Sequence, residues 1–332
     1  MKKTPAVSII VLNWNGKKWL KECFSSIYKQ NFKDFEVILA DNNSSDSSVE
    51  YTRKNWPKVK IIELSKNFGY AEGNNKAAKI SQGEFLLFLN NDTKIQNNFL
   101  EKLYRSAQKE KDAILTPTML GYNGEKIFPE DKKYLGIDRF GYPLLAKKPF
   151  YADGAALFIK KTIFKELYGF DKDYFMFQED IDLSWRARLL GYNIIPVLSA
   201  EVYHFCGGTA GGSRKNEGRH KTSTFRRYHT EKNSLSNLLK NYEYHNILIS
   251  VPIFLLLGWG EAFLYFLTGQ FSASIAILKA HFWNLVNIKK TFAKRKKIQT
   301  ARKINDKQIM KHMSKGSGKW EVLKKIGIPN VQ

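Results

Sequence analysis

Cysteine is nearly missing from this chain of 332 residues. The two present, Cys23 and Cys206, sit in no CxxC pair. That excludes a zinc knuckle and a disulfide framework and fits a reducing compartment. Acidic side chains are scarce as well: 31 Asp and Glu face 54 Lys and Arg, a formal net charge of +23. The partner this implies is polyanionic, whether nucleic acid, anionic lipid or a phosphate-bearing substrate. The first residues, Met1 to Pro5, carry no apolar h-region and no small-residue cleavage site, so a secretory signal is not expected. There is no internal repeat. No recognised nucleic-acid module carries the basic residues, which weighs against a nucleic-acid partner. Nor does the first strand lead into a glycine-rich basic loop of the kind a nucleotidyltransferase uses. Apolar residues are plentiful at 43%, which excludes disorder throughout and permits a sizeable core.

The order of the apolar runs predicts an α/β fold. Val7 to Leu12 is a β-branched run of the buried parallel-strand type, broken by Asn13-Trp14-Asn15-Gly16. Lys17 to Lys29 places Leu20, Cys23, Phe24 and Ile27 on one helical face. Strands at 35–40, 59–64, 85–89 and 113–116 then alternate with helices near 47–55, 70–81 and 97–110. Further on, 155–159, 193–197 and 201–204 read as strands, and 179–190 and 226–240 as helices; 121–150 reads as irregular. Strands and helices joined by short connections imply a doubly wound sheet, with ligands at the carboxyl ends of its strands. Asn13, Asp41 and Asn90 to Asp92 all fall at such ends.

Four constellations carry chemistry. Asn90-Asn91-Asp92 closes a hydrophobic strand, where a carboxylate suits a hard divalent cation such as Mg²⁺ or Mn²⁺ bridging a diphosphate. In Asp41-Asn42-Asn43-Ser44-Ser45-Asp46, the first carboxylate can accept hydrogen bonds from a base or ribose, while Asp46 suits a helix cap. Glu179, Asp180 and Asp182 crowd the first turn of a helix. The helix dipole accounts for one or two of them, and a third beside a cleft can serve as general base. His204 ends a strand ahead of the glycine-rich stretch 207–213, where it can add a metal ligand beneath a lid.

In this order the motifs resemble the family 2 glycosyltransferases with a GT-A fold, and within them the rhamnosyltransferase-like branch. The matching stretches are VSIIVLNWNG (7–16), DNNSSDSSV (41–49), NFGYAEGNN (67–75), FLNNDT (88–93), DGAALFIK (153–160), GFDKDYFMFQEDIDLSWRAR (169–188) and AEVYHFCGG (200–208). The resemblance covers roughly residues 5 to 240. It implies an inverting transfer of a sugar from a nucleotide-diphosphate donor to a hydroxyl of a glycan or lipid-linked acceptor. By position it makes Asp180 the base, with Glu179 beside it in the acceptor pocket. It makes Asp92 and His204 the ligands of a Mg²⁺ or Mn²⁺ ion. Asn13, Asn15, Asp41, Asn67, Asn91, Gly154 and Ala155 would line the nucleotide sugar. One departure stands out: the DxD element of many members starts here with Asn90, leaving one carboxylate.

Beyond this region, 247–267 is long enough to span a bilayer but holds Pro252 and Glu261, and 271–288 is apolar with Lys279 and His281 inside it. A single crossing would export the Lys-rich tail, against the positive-inside tendency. The expected organisation is therefore a catalytic region at 1–240, an apolar helical membrane-associated segment at 241–290 and a basic tail at 291–332. The protein would sit on the cytoplasmic face of the cell membrane, peripheral or monotopic, with its tail on anionic lipid. The competing reading is a basic lipid- or nucleic-acid-binding protein without transferase activity.

Overall fold

The computed structural model describes residues 4–132, 134–205, 215–216, 219–326 and 330–331. The glycine-rich stretch 207–213 and Cys206 lie outside them. The chain forms two compact units. The first comprises Met1–Pro129, Ala152–Ser184 and Tyr192–Ala210; the second comprises Glu130–Tyr151, Trp185–Gly191 and Gly211–Gln332.

The first unit is built on an eight-stranded mixed sheet. Its strands are β1 (Val7–Asn13), β2 (Phe35–Asp41), β3 (Lys60–Glu63), β4 (Phe85–Asn90), β5 (Thr93–Ile95), β6 (Ala113–Gly121), β9 (Ala156–Lys160) and β10 (Asn193–His204). The numbers β7 and β8 belong to a separate hairpin, Tyr134–Ile137 and Pro143–Ala146. The sheet order is β3-β2-β1-β4-β9-β6-β10-β5. β1 pairs parallel with β2 and β4, and β10 parallel with β6. β9 runs antiparallel between β4 and β6, and β5 antiparallel to β10. Because β9 is reversed, its start lies at the edge where β1, β2, β4 and β10 end.

Alternation along β1 sends Val7, Ile9 and Val11 into a core with helix α1 (Lys17–Tyr28), through Leu20, Cys23, Phe24 and Ile27. Burying one such aliphatic or aromatic side chain contributes about 1.5–3 kcal/mol. Helices α2 (Ser48–Asn55), α3 (Gly69–Ile80), α4 (Phe99–Lys109), α5 (Lys161–Glu166) and α6 (Glu179–Leu189) follow in chain order. α3 packs so closely on β1 that a Cβ on Gly73 would lie 2.6 Å from Leu12 Cδ1.

Two expectations need correction. The strands expected at 193–197 and 201–204 are one strand, because β6 pairs continuously with both halves across a bulge between Val197 and Glu201. The stretch read as irregular contains the β7–β8 hairpin. There the Asp138 carboxylate accepts the amides of Phe140 and Tyr142, and Gly141 takes the left-handed backbone of the turn (φ +75°). At the start of α2 the Asp46 carboxylate accepts the Ser48 amide at 3.1 Å, in the capping role expected of it, and it also accepts the Lys17 amide at 2.8 Å.

In the second unit, α7 (Thr224–Asn241) is followed by α8 (Tyr244–Leu267), α9 (Phe271–Val286) and α10 (Ile288–Ala301). Ser223 caps α7 by accepting the Arg226 amide at 3.1 Å. The last carbonyls of α7 are satisfied by side chains of α10 and its C-cap. Arg295 Nη1 donates to Leu239 O (3.0 Å), Gln299 Nε2 to Lys240 O (2.9 Å) and Arg302 Nη2 to Asn241 O (3.0 Å). α9 is tied to α7 by Asn284, which donates to Lys232 O at 2.9 Å and accepts from Ser236 Oγ at 2.7 Å. A buried ionic cluster joins the helices. Glu231 meets His281 and Lys319 at 3.2 Å each and accepts from the Tyr142 hydroxyl, and Glu261 pairs with Arg227 and, at 2.9 Å, with Lys319.

Candidate active site

Every site residue expected from the sequence belongs to the first unit, and all but Asn67 sit at its carboxyl edge or in loops bonded to it. Asn13, at the end of β1, is buried and central. Its Nδ2 donates to Asp41 Oδ1 (3.0 Å) and Ser44 Oγ (3.1 Å), and its Oδ1 accepts from Asn91 Nδ2 (2.7 Å). Asp41 is also buried; beyond Asn13, its carboxylate accepts the amide and hydroxyl of Ser44 and so folds its own turn. Asn15 adopts a left-handed backbone (φ 49°) and accepts the Ser45 amide at 2.8 Å, stitching the loop after β1 to the loop after β2. Asn67 lies at the start of α3, where its Oδ1 accepts the Gly69 amide at 2.8 Å.

Gly16 closes this cradle from below. A Cβ there would fall 2.0 Å from Asn91 Nδ2 and 2.6 Å from Asn13 Oδ1. Gly16→Ala is therefore expected to push Asn91 and Asn13 apart and weaken nucleotide-sugar binding by tenfold or more, with the fold intact. Titration calorimetry alongside far-UV circular dichroism checks this.

Asp92 and His204, 112 positions apart, meet at the ends of β4 and β10: Oδ1 and Nε2 are 3.1 Å apart, and both side chains are nearly buried. Asn90 Nδ2 lies 3.4 Å from the same imidazole nitrogen. Two adjacent ligands at about 2.1 Å from an octahedral divalent ion sit about 3.0 Å apart, so this pair has the spacing of two neighbouring ligands in such a shell. No group of three His, Cys, Asp or Glu side chains with metal-holding geometry occurs among the described residues. The Cys23 thiol nearby is pushed up to about 12 by burial and then by the Asp92 charge, which leaves it inert.

The carboxylates of α6 are presented by unusual backbone. Phe175, Phe177 and Gln178 all have φ of 60–69°, a conformation costing of order 1–3 kcal/mol for each non-glycine residue. The segment is held by the Phe175 carbonyl, which accepts the Ala71 amide at 3.2 Å. Gly69 leaves the room: a Cβ there would lie 2.3 Å from that carbonyl oxygen. Asp180 then reaches the loop before β9, its Oδ2 accepting the Gly154 amide at 3.1 Å. Next in that loop, the Ala155 carbonyl accepts the Asn90 amide at 2.9 Å. Asp180 and the end of β4 are thus linked through two successive residues of one loop, Gly154 and Ala155.

Burial, then the charge of Asp153, raises the Asp180 carboxyl to about 7. Glu179 is buried, its Oε2 has no hydrogen-bond partner, and burial followed by the Asp180 charge raises it well above the ordinary carboxylate range. Two adjacent buried acids resist carrying two charges at once. Asp182 is fully buried on the same helix.

Two participants were not identified from the sequence. Asp153 was visible as the start of a matching stretch but carried no assigned role. The Tyr70 hydroxyl, buried on α3, donates to the Gly154 carbonyl and braces the loop that meets Asp180. Nothing in a lone tyrosine near a helix start signals this.

The sheet order and this edge define a GT-A-type α/β fold. The structure resembles that of GalNAc-T7 with UDP, GalNAc and Mn²⁺ (TM-score 0.59, 17% identity, 74% of this chain and 49% of that one). It also resembles S. aureus TarS 1–349 in complex with UDP (TM-score 0.51, 21% identity, 74% and 69%). Residues 8–168, a little under half of the chain, match the model of Glycosyl transferase family 2. The O-antigen biosynthesis protein RfbC of Myxococcus xanthus is 26% identical over 60% of this chain, and the low-salt glycan biosynthesis hexosyltransferase Agl10 of Haloferax volcanii 27% over 57%. The chain spans 17% of the first protein and 63% of the second, less than two thirds of either. The N-acetylglucosaminyl-diphospho-decaprenol L-rhamnosyltransferase of Mycobacterium tuberculosis is 21% identical over 60% of this chain and 76% of its own length. It is one distant relative among several with other donors, so the match supports the family rather than its rhamnosyltransferase branch.

Proposed function

We propose that this chain is an inverting glycosyltransferase that moves a sugar from a nucleotide-diphosphate donor to a hydroxyl of a cell-surface glycan or lipid-linked acceptor. The observation that carries the proposal is the loop 153–155, which bonds on one side to Asp180 and on the other to the strand end that bears Asp92. Asn13, Asn15, Asp41, Asn67 and Asn91 hold the nucleotide, and Gly154 and Ala155 let the donor sugar approach the backbone. Asp180 takes the proton from the acceptor hydroxyl, which attacks the anomeric carbon opposite the diphosphate. Glu179 stands beside Asp180 in the acceptor pocket. A divalent cation on Asp92 and His204, when bound, neutralises charge on the leaving diphosphate.

The names of the relatives support two donors to test first: a rhamnosyl nucleotide from the mycobacterial protein, and UDP-GlcNAc, with which TarS 1–349 has been crystallised. The work is divided along the chain, with chemistry in 1–240, membrane association in 241–290 and a basic tail in 291–332. The protein works on the cytoplasmic face of the cell membrane.

A thermal-shift screen of nucleotide sugars with and without Mn²⁺ tests the reading. The correct donor at about 100 times Kd stabilises by about 2.7 kcal/mol. Asp92→Ala is expected to lose both the Mn²⁺ requirement and most donor affinity. Donor binding by this variant at the original strength and with the original metal dependence would remove Asp92 from the site.

A further inference from the structure

We propose that α8 and α9 together form one lipid-facing surface that lies in the plane of an anionic membrane and crosses nothing. This deepens the membrane location given above and is independent of the chemistry at Asp180. α8 is the one helix among the described residues long and apolar enough to cross a bilayer, but its two sides differ. Ile247, Ser250, Phe254, Gly258, Ala262 and Tyr265, spaced three or four apart, are buried against the protein, whereas Leu248, Leu256 and Phe263 are each more than half exposed. α9 repeats the pattern: Ala273, Ile277 and Ala280 are buried, and Phe271, Phe282 and Leu285 are more than half exposed. A protein surface rarely leaves such a run of large apolar side chains uncovered without a partner.

The hydrogen bonds choose between crossing and lying flat. α7 precedes α8 and bonds to both helices that follow it: Lys232 O to Asn284 of α9, and Leu239 O and Lys240 O to Arg295 and Gln299 of α10. A chain that crossed once at α8 would carry α9 and α10 to the far side and break all of these. Glu261, in the middle of α8, points into the ionic cluster with Arg227 and Lys319 and meets no lipid. A deeper insertion would drag that cluster into hydrocarbon. An amphipathic layer with one buried and one apolar face is instead the form of an interfacial anchor.

Charge selects the occupant. Residues 271–305 contain nine Lys and Arg and no Asp or Glu, and Lys289, Lys296 and Lys303 are exposed. A second copy would bring an identical basic stretch against this one, whereas anionic headgroups complement it.

The test is co-sedimentation of the full chain with phosphatidylcholine vesicles, with and without phosphatidylglycerol. Binding should be much tighter to the anionic vesicles. The double variant Lys289→Gln/Lys296→Gln should bind them about 30-fold more weakly, at about 1 kcal/mol per charge. Leu256→Ser/Phe263→Ser should lose at least tenfold, with an unchanged thermal midpoint and an unchanged response to nucleotide sugar. That last readout separates failure of this surface from failure of the transferase reading. A membrane-impermeant amine reagent added outside sealed vesicles should label the exposed Lys296 and Lys303. Equal binding to neutral and anionic vesicles, shielding of both lysines until the vesicles are lysed, or a lipid-free dimer dissociated by Leu256→Ser/Phe263→Ser would each overturn the proposal.

Discussion

Asp180→Asn is expected to cut turnover by about 10²–10⁴ while nucleotide-sugar affinity stays within a factor of two or three. The amide keeps the shape of the carboxylate beside the Gly154 amide but cannot accept the acceptor's proton. Single-turnover kinetics with a matched titration of donor binding would show it. Wild-type-like turnover would remove Asp180 from the mechanism. The pH profile gives the same residue a second signature. Asp180 must be unprotonated to act and its carboxyl is raised to about 7. The kcat/KM should therefore fall about tenfold per pH unit below about 7 and level off above it. An Asp180 with an ordinary carboxyl value would leave that profile flat down to about pH 5. Asp153→Asn removes the neighbouring charge that helps raise Asp180, so its acid limb should move to lower pH with modest loss at neutral pH.

Glu231→Ala is expected to be the most destabilising single change in the second unit, by about 3–5 kcal/mol. Glu231 is buried among Lys319, His281 and the Tyr142 hydroxyl, with Arg227 near, and truncation leaves those groups without their counter-charge. A calorimetric or circular-dichroism melt should show a drop of about 10 °C or more. The pH dependence follows from linkage. Burial alone would raise this carboxyl, but Lys319 and the hydrogen bond from His281 outweigh it and hold it down to about 2. A carboxyl depressed on folding stabilises the protein above its unfolded value near 4.5. That stability is lost as pH falls from there towards about 2. The wild type should thus lose its midpoint steeply in that window, and the variant should not. A variant that melts like the wild type would show the cluster to be energetically idle.

How much of this could be read from the chain depends on the range of the interaction. β1, α1, β4 and α4 declare themselves through local period, since Val7 to Leu12 and the Leu20, Cys23, Phe24, Ile27 stripe need only neighbours in sequence. The meeting of Asp92 with His204 across 112 residues has no local signature and was anticipated through the family resemblance alone. The bulge in β10 could not be seen because the Leu198–Ala200 interruption looks like a strand end unless the partner β6 is known to continue. Asp153 and Tyr70 were missed for a related reason: Asp153 accepts the Ala155 amide and Tyr70 donates to the Gly154 carbonyl, and a bond to a backbone group leaves no pattern of residue types. Glu261 looked out of place in an apolar helix, and its partners, Arg227 and Lys319, lie 34 and 58 positions away.

The reversed direction of β9 has a further consequence. β6 finishes and β9 begins on the same side of the sheet, so the intervening chain, residues 122–155, departs from and returns to one rim without any strand having to change register. Such a segment is a natural cassette: exchanging residues 122–152 between related enzymes, with cuts at Gly121 and Asp153, leaves in place both the nucleotide-holding loops of β1 and β2 and the 153–155 loop beside Asp180, so the chimaeras should keep the donor preference of the parent that supplies the sheet.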